Sequence, residues 1–261
     1  MISAEMLLKS RNPTTGDVLR TFRLVYPAFI HAHVLTHRVF SRNTSSARAI
    51  PVNKFAELVR STPATPVFWG KNGKGMKAQE EVGDIEAAKA WWMESCNNAL
   101  EQHRKGVELG VHKEIVNRIL QPFQHVVVIL STTELANWEE QRLYGEGVMG
   151  ETQVLAQAMH GADCSTEAVE RKNHLPLLLP EEIKGDWERE AMASAARCAR
   201  VSFLLPDHPF EVEVEKGYAL SLNKHRSPFE HQAQWFDGRV HEASWQRNFR
   251  GWVQHRAMLG L

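Results

Sequence analysis

Arginine, histidine and small hydroxyl side chains concentrate between residues 31 and 48. This segment contains three arginines, three serines and two threonines. Guanidinium groups and hydroxyls are the donors that suit a phosphate or another planar anion. The segment therefore predicts an anion-binding site, and the alternative is a solvated loop with scattered charges.

The three histidines of the same segment have the spacing of a possible metal site. His31 and His33 would share one face of a strand, whereas His33 and His37 would share one face of a helix. No regular element presents all three, and no nearby carboxylate completes a ligand set. We therefore expect no metal here.

Two more clusters carry similar side chains. Arg118 forms one with the NWEEQR segment at 137–142, where Asn137 and Arg142 are too far apart in sequence to share a face of an α-helix. They would contact one ligand only if it lay across the helix end, and the alternative is ordinary surface polarity. The other cluster spans 197–202 and 225–231. Its Cys198 lies between two arginines, where a reactive thiol or, as we favour, a small buried side chain is expected.

The elements that must position these clusters follow from the hydrophobic pattern. Residues 19–39 predict a strand leading into a short helix or bend, and residues 41–48 and 69–75 predict loops. Helices are predicted at 78–109, 112–120, 134–142, 151–159, 187–199 and 248–259, and strands at 124–132, 201–205, 211–215 and 229–235. This mixture, without repeats or linkers, indicates one mixed α/β domain over residues 1–261.

Composition excludes several classes of protein. Of the 261 residues, 31 are Lys or Arg and 31 are Asp or Glu, so a zero net charge argues against a nucleic-acid polymer or an anionic membrane as partner. The three cysteines, Cys96, Cys164 and Cys198, form no CxxC pair, which is typical of a reducing cytosol. No apolar run reaches membrane-spanning length. We expect a cytoplasmic protein.

Taken together, the clusters resemble the motifs of the flavin-dependent thymidylate synthases. The family's RHR motif, followed after seven residues by Ser-Gly-Arg, is similar to THR at 36–38 and SAR at 46–48, with Ser41 and Asn43 also matching. Its other motifs are similar to RILQP at 118–122, NWEEQR at 137–142, ARVS at 199–202 and SPFEH at 227–231. The last two precede RHR in familiar members. Here they follow it, an order like that of circularly permuted viral-type members, which favours a phage- or virus-encoded enzyme acting in the host cytoplasm.

The resemblance implies a fold and a chemistry. It implies an α+β homotetramer with a central twisted, mostly antiparallel sheet flanked by helices and with active sites at subunit interfaces. FAD would be the cofactor, and methylenetetrahydrofolate and NADPH the co-substrates. The reaction would methylate dUMP at C5 to dTMP without a protein nucleophile, so that the protein acts by positioning and electrostatics.

Carried over by motif, the resemblance also implies residue roles. Arg142 and His231 would be catalytic, with Arg142 polarising the pyrimidine and His231 near flavin and folate. FAD would be bound by His37, Arg38, Asn43, Asn137 and Ser202. The nucleotide would be bound by His33, Ser45, Ser46, Arg48, Arg118 and Arg142, and Glu151 aligns with a glutamate of the family.

The sequence departs from the family at positions that bear on the base. Thr36 replaces the first Arg of RHR, Ala47 replaces Gly, and His33 stands where the family has Gln or Glu near the nucleotide. Glu140 and Gln141 replace apolar residues before Arg142. Because groups facing a base edge decide which base fits, a dCMP methyl- or hydroxymethyltransferase for modified phage DNA is the alternative.

Overall fold

The computed structural model describes residues 1–201, 208–237 and 243–261. Its strands are β1 (Ser3–Arg11), β2 (Val18–Pro27), β3 (Ser41–Thr44), β4 (His125–Thr132), β5 (Val169–Glu170), β6 (Asn173–His174), β7 (Ala233–Trp235) and β8 (Trp252–Gln254). Its α-helices are α1 (His31–Leu35), α2 (Val52–Ser61), α3 (Ile85–Glu108), α4 (Lys113–Val116), α5 (Ala136–Trp138), α6 (Gly150–Cys164), α7 (Trp187–Arg200), α8 (Phe210–Leu222) and α9 (His255–Met258).

A five-stranded sheet in the order β3-β4-β2-β1-β5 organises the chain. All its neighbours are antiparallel except β1 and β5. β4 lies between β2 and β3, so it is a central strand, which explains its nearly continuous run of β-branched residues. A second sheet has the order β6-β7-β8. The antiparallel-dominated sheet with flanking helices confirms the predicted fold class.

The two faces of the large sheet differ in chemistry. On one face, Phe22, Leu24, Val128 and Leu130 pack with side chains of α1, α5 and α6 in the main hydrophobic core. On the other face, Thr21 and Ser131 lie opposite each other in the register of β2 and β4, and both are fully buried. The alternation of strand side chains therefore places the main hydrophobic core on one face and a buried pair of hydroxyl groups on the other.

A smaller core joins the long helix to the pocket described below. Phe55, Val59, Cys96, Leu120 and Phe123 connect α2, α3 and a 3-10 helix at Asn117–Phe123. This helix ends the segment that precedes β4 and includes Pro122, which the sequence pattern had placed beyond the helix. Among the described residues, no helix is both long and apolar enough to span a membrane.

Several elements are as predicted. They are the strand that leads into a short helix at β2 and α1, the strand β4, and the helices α3, α6 and α7. Residues 69–75 are without helix or strand apart from an isolated bridge between Gly70 and Glu81, as expected for a loop.

Other predictions are wrong or only partly correct. Residues 41–44 form β3, because their backbone pairs with β4 despite a polar sequence. Residues 211–215 lie in helix α8, where Glu213 and Val214 are buried and Glu213 pairs with Arg200 of α7. The predicted terminal helix is a strand, β8, followed by the short α9. Only 233–235 of the predicted strand 229–235 are extended. The helix predicted at 134–142 is present at 136–143, as α5 continued by a π-helix at Glu139–Leu143. All but the first residue of the predicted strand 201–205 lies outside the described residues.

Candidate functional site

Four of the predicted nucleotide-binding residues line one pocket. Ser45, Ser46, Arg48 and Arg118 face a cavity of about 760 Å³ that lies beside the end of β3. Arg118 lies about 70 residues after the other three in the sequence, and only the family motifs predicted that it would lie close to them. Gln121 and Glu114 also line the pocket, although neither was among the predicted site residues.

The serines are held by the edge of the sheet and by the turn that follows it. Ser45 N donates to Val127 O (2.8 Å), and Val127 N donates to the Ser45 hydroxyl (3.0 Å), so pairing with β4 continues past β3. Ser46 O accepts from Ala49 N (2.9 Å) and Ile50 N (3.2 Å), which closes a turn. Arg48 lies on this turn with its side chain exposed.

A buried asparagine fixes that turn against the helices. Asn117 Nδ2 donates to Ala47 O (2.7 Å) and Ile50 O (3.2 Å), and Asn117 Oδ1 lies 2.9 Å from His103 Nε2. Asn117 is fully buried and next to Arg118. The amide of Asn117 therefore joins the turn that carries Arg48 to the helix that carries Arg118. Asn117 was not predicted as a site residue, because no local sequence signal marks it.

Two guanidinium groups share a single carboxylate at the pocket. Glu114 Oε1 lies 3.4 Å from Arg48 Nη1 and 3.8 Å from Arg118 Nη2, and Arg118 Nε donates to Glu114 O (3.0 Å). All three side chains are substantially exposed, so water and salt weaken these pairs. The arginines thus remain accessible to a stronger anion.

Arg142 belongs to a second cluster, centred on His37. Arg142 Nε donates to His37 Nε2 and Arg142 Nη2 donates to Thr36 Oγ1, both at 3.2 Å. The His37 ring meets Trp138 edge-on at 4.8 Å and is nearly buried. Burial, with Arg142 and Arg42 nearby, lowers the pKa of His37 to about 4, so that the imidazole is neutral and accepts from Arg142.

One of the three arginines of the segment 31–48 stabilises the fold. Arg42 Nη1 donates to Val34 O (3.3 Å), Leu35 O (3.4 Å) and His37 O (3.0 Å). A guanidinium at the last carbonyls of a helix satisfies acceptors that have no partner within the helix. Part of the positive charge that suggested an anion site is therefore occupied at the end of α1.

The histidines of the segment point to separate partners. His31 Nδ1 lies 2.9 Å from Tyr26 Oη, and His33 Nδ1 lies 3.0 Å from Thr152 Oγ1. Glu151, the neighbour of Thr152, is buried, and its Oε1 accepts from Val67 N (2.7 Å). Within the described ranges, no group of three His, Cys, Asp or Glu side chains is arranged to hold a metal ion.

Asn43 joins three of the motifs. Its Nδ2 donates to Cys198 O (2.7 Å), just before ARVS ends α7, and its Oδ1 accepts from Ser227 Oγ (3.0 Å) of SPFEH. Motifs that are more than 150 residues apart thus meet at β3. Both ends of this buried amide are occupied within the chain, and its predicted role toward FAD stays a prediction.

The other predicted residues lie at different depths. Arg38 and Asn137 are exposed, and Asn137 Oδ1 accepts from Gln141 Nε2 (2.8 Å). His231 is fully buried, with Nδ1 2.9 Å from Ser131 Oγ. Ser202 lies outside the described residues.

Cys198 is a small buried side chain, as we favoured from the sequence. It is fully buried, and burial raises the pKa of its thiol to about 12. A thiol that stays protonated at neutral pH is a poor nucleophile. Its arginine neighbours instead form buried ion pairs, Arg197 with Glu182 (2.5 Å) and Arg200 with Glu213 (2.6 Å).

Solved structures with the same fold include a nucleotide methylase. The chain is similar to the UMP/dUMP methylase PolB from Streptomyces cacaoi bound with 5-Br dUMP, at a TM-score of 0.50 and 16% identity over 63% of this chain and 90% of that one. The same methylase bound with 5-Br UMP matches at a TM-score of 0.51 and 17% identity, over 63% and 89%. No protein-family model matches the sequence, and no curated protein sequence does either. At this identity the similarity shows a shared fold.

Proposed function

We propose that this chain is an enzyme that methylates a pyrimidine nucleotide at C5, with dUMP as the substrate. The observation that carries the proposal is the pocket that unites Ser45, Ser46, Arg48 and Arg118. Composition had already predicted an anion site in the segment that contains Ser45, Ser46 and Arg48, motif resemblance added Arg118, and the four residues come together on a fold that a UMP/dUMP methylase shares. Two guanidinium groups and two hydroxyls form a donor set that suits a phosphate monoester.

The reaction needs a one-carbon donor and a hydride, for which we propose methylenetetrahydrofolate and FAD, with NADPH as the reductant. The residues carried over for FAD suit a flavin dinucleotide: exposed Arg38 offers a guanidinium for a pyrophosphate, and neutral His37 precedes it in the sequence. When bound, a reduced flavin supplies the hydride that turns a transferred methylene into methyl.

The protein's own contribution is positioning. Arg48 and Arg118 hold the phosphate, and the turn tied by Asn117 holds them. Arg142 belongs to the His37 cluster and does not line this pocket. We propose that the two clusters are completed as one site between subunits of a homotetramer.

The test is turnover with separate nucleotides. Purified enzyme, FAD, methylenetetrahydrofolate and NADPH are incubated with dUMP, UMP or dCMP, and the products are identified by mass. We expect a methyl group on dUMP and a yellow protein that bleaches on reduction. Turnover of dCMP alone, to a methyl or hydroxymethyl product, would mean that the substrate base is cytosine and not uracil. A chain that binds neither FAD nor any of the nucleotides would end the proposal.

A further inference from the structure

A row of five fully buried polar side chains crosses the face of the large sheet that carries Thr21 and Ser131. Ser10 Oγ lies 2.8 Å from His174 Nδ1, and His174 Nε2 lies 2.7 Å from Thr21 Oγ1. Thr21 Oγ1 lies 2.6 Å from Ser131 Oγ, which lies 2.9 Å from His231 Nδ1. All five side chains have zero exposed area, so water does not interrupt the row. We refer to it as the hydroxyl–imidazole row.

The architecture holds this row in place from several sides. Ser10, Thr21 and Ser131 belong to β1, β2 and β4, and Thr21 is the register partner of Ser131. His174 lies in β6, and its ring meets Trp252 edge-on at 6.0 Å. His231 follows a 3-10 helix at Ser227–Glu230. The strands and the second sheet therefore fix the spacing of the row.

The last atom of the row is the Nε2 nitrogen of His231. His231 Nε2 is buried and has no hydrogen-bond partner among the residues that the structure describes. Burial lowers the pKa values of both His174 and His231 to about 3, so each ring is neutral and carries one proton. Each ring must therefore use one nitrogen as a donor and the other as an acceptor.

Counting protons couples the two rings. If His231 Nδ1 donates to Ser131, then Ser131 donates to Thr21, Thr21 donates to His174 Nε2, and His174 Nδ1 carries its proton toward Ser10. Reversing one bond reverses all four, because each hydroxyl has one proton and each neutral ring has one. The two histidines must then hold their protons on the same type of nitrogen.

The unpartnered nitrogen decides between the two directions. An orphaned buried N–H is rarer in proteins than an acceptor with a free lone pair. A proton on His231 Nδ1 leaves Nε2 as a bare acceptor, whereas the reverse direction leaves an unsatisfied N–H.

We propose that His174, Thr21 and Ser131 are positioning residues that hold His231 in the Nδ1–H tautomer, with Nε2 left as a bare acceptor at the buried end of the row. This coupling of the two tautomers does not depend on the proposed function.

The coupling is tested by nuclear magnetic resonance on the full chain labelled with ¹⁵N-histidine. Long-range correlations report which nitrogen of each ring is protonated, and H174Q and H231Q assign the signals. We expect both rings as Nδ1–H. Opposite tautomers would overturn the coupling, and two Nε2–H rings would overturn the assignment of His231 as an acceptor.

Two variants at one position separate the hydroxyl from the fold. T21V keeps the shape of the side chain but removes the hydroxyl, whereas T21S keeps the hydroxyl. We expect His174 and His231 to hold the same tautomer in T21S and to lose that correlation in T21V. If T21V does not fold, S131A is measured instead, because it also removes a hydroxyl that lies between the two histidines. If the two rings still share one tautomer in both variants, the proposal is overturned.

Discussion

The Glu114 carboxylate lies between the guanidinium groups of Arg48 and Arg118, 3.4 and 3.8 Å from their nearest nitrogens. At this residue scale, a phosphate that enters the pocket meets two donors and one like charge. The donors gain from a dianion more than from a carboxylate, since hydrogen bonds to charged groups are stronger with more charge on the acceptor. The balance of these three groups therefore sets the nucleotide affinity.

Removing either arginine should weaken nucleotide binding. We expect R48A and R118A each to lower the affinity for dUMP by about tenfold or more, because a hydrogen bond to a charged group contributes about 1.5–3 kcal/mol. Calorimetric titration measures the change. R60A is the matched control, since Arg60 pairs with exposed Glu57 and lies outside the pocket. Equal losses in all three variants would remove the pocket from nucleotide binding.

Removing the carboxylate should have the opposite effect. We expect E114Q to raise the affinity for dUMP by roughly twofold to fivefold, in keeping with the 0.2–1 kcal/mol of an exposed ion pair. The gain should shrink as salt is added, because the charges are exposed. E57Q is the control. A loss of affinity in E114Q would mean that Glu114 mainly orients the arginines.

At the scale of elements, a glycine sets how closely α7 and α8 pack. A Cβ on Gly217 would lie 2.3 Å from the Met192 carbonyl oxygen and 2.7 Å from its Cβ. These are backbone and near-backbone atoms, so they can move only if the helices separate. The same helices carry the buried ion pair of Arg200 and Glu213, so separating the helices would also pull these two side chains apart.

Substituting this glycine should destabilise the chain. We expect G217A to lower the free energy of unfolding by about 1–3 kcal/mol, the usual cost of overpacking. Denaturant titration measures it. G161A is the matched control, because Gly161 is also helical, in α6, and a Cβ there meets nothing within 4 Å. Alanine is the better helix former, so G161A should be neutral or slightly stabilising. A G217A chain as stable as G161A would contradict the close approach.

At the scale of the whole molecule, four of the five histidines that are buried among the described residues lie in different parts of the fold and have a lowered pKa. Burial is the first cause of a lowered pKa in each, to about 4 for His37 and His255 and to about 3 for His174 and His231. In the unfolded chain each would titrate near its usual value of about 6.5. Folding therefore requires four imidazoles to stay neutral.

This requirement predicts acid sensitivity. Between about pH 6.5 and pH 4 the unfolded chain binds protons that the folded chain does not, so the free energy of unfolding should fall as the pH falls through this window. Above about pH 7 these groups should add no slope. Denaturant titrations at half-unit pH steps test this, and H255Q should have a shallower slope than the wild type. A stability that stays constant from pH 6.5 to pH 4 would contradict the buried neutral histidines.

What the sequence determined by itself was local or carried by motifs. The β-branched run of β4 and the periodic pattern of α3 predicted those elements, because side-chain period follows directly from strand and helix geometry. Polar β3 was missed, since its strand conformation comes from pairing with β4 and not from its own residues. Motif resemblance selected Ser45, Ser46, Arg48 and Arg118, and the pocket brings them together.

Only the tertiary structure decided how the polar residues are used. It places Arg42 on the end of α1, occupies both ends of Asn43, and ties the pocket turn with Asn117, which no sequence signal marked. The hydroxyl–imidazole row likewise joins residues up to 164 positions apart. Such contacts depend on which surfaces pack together, and packing across distant segments leaves no periodic trace in the residues on either side.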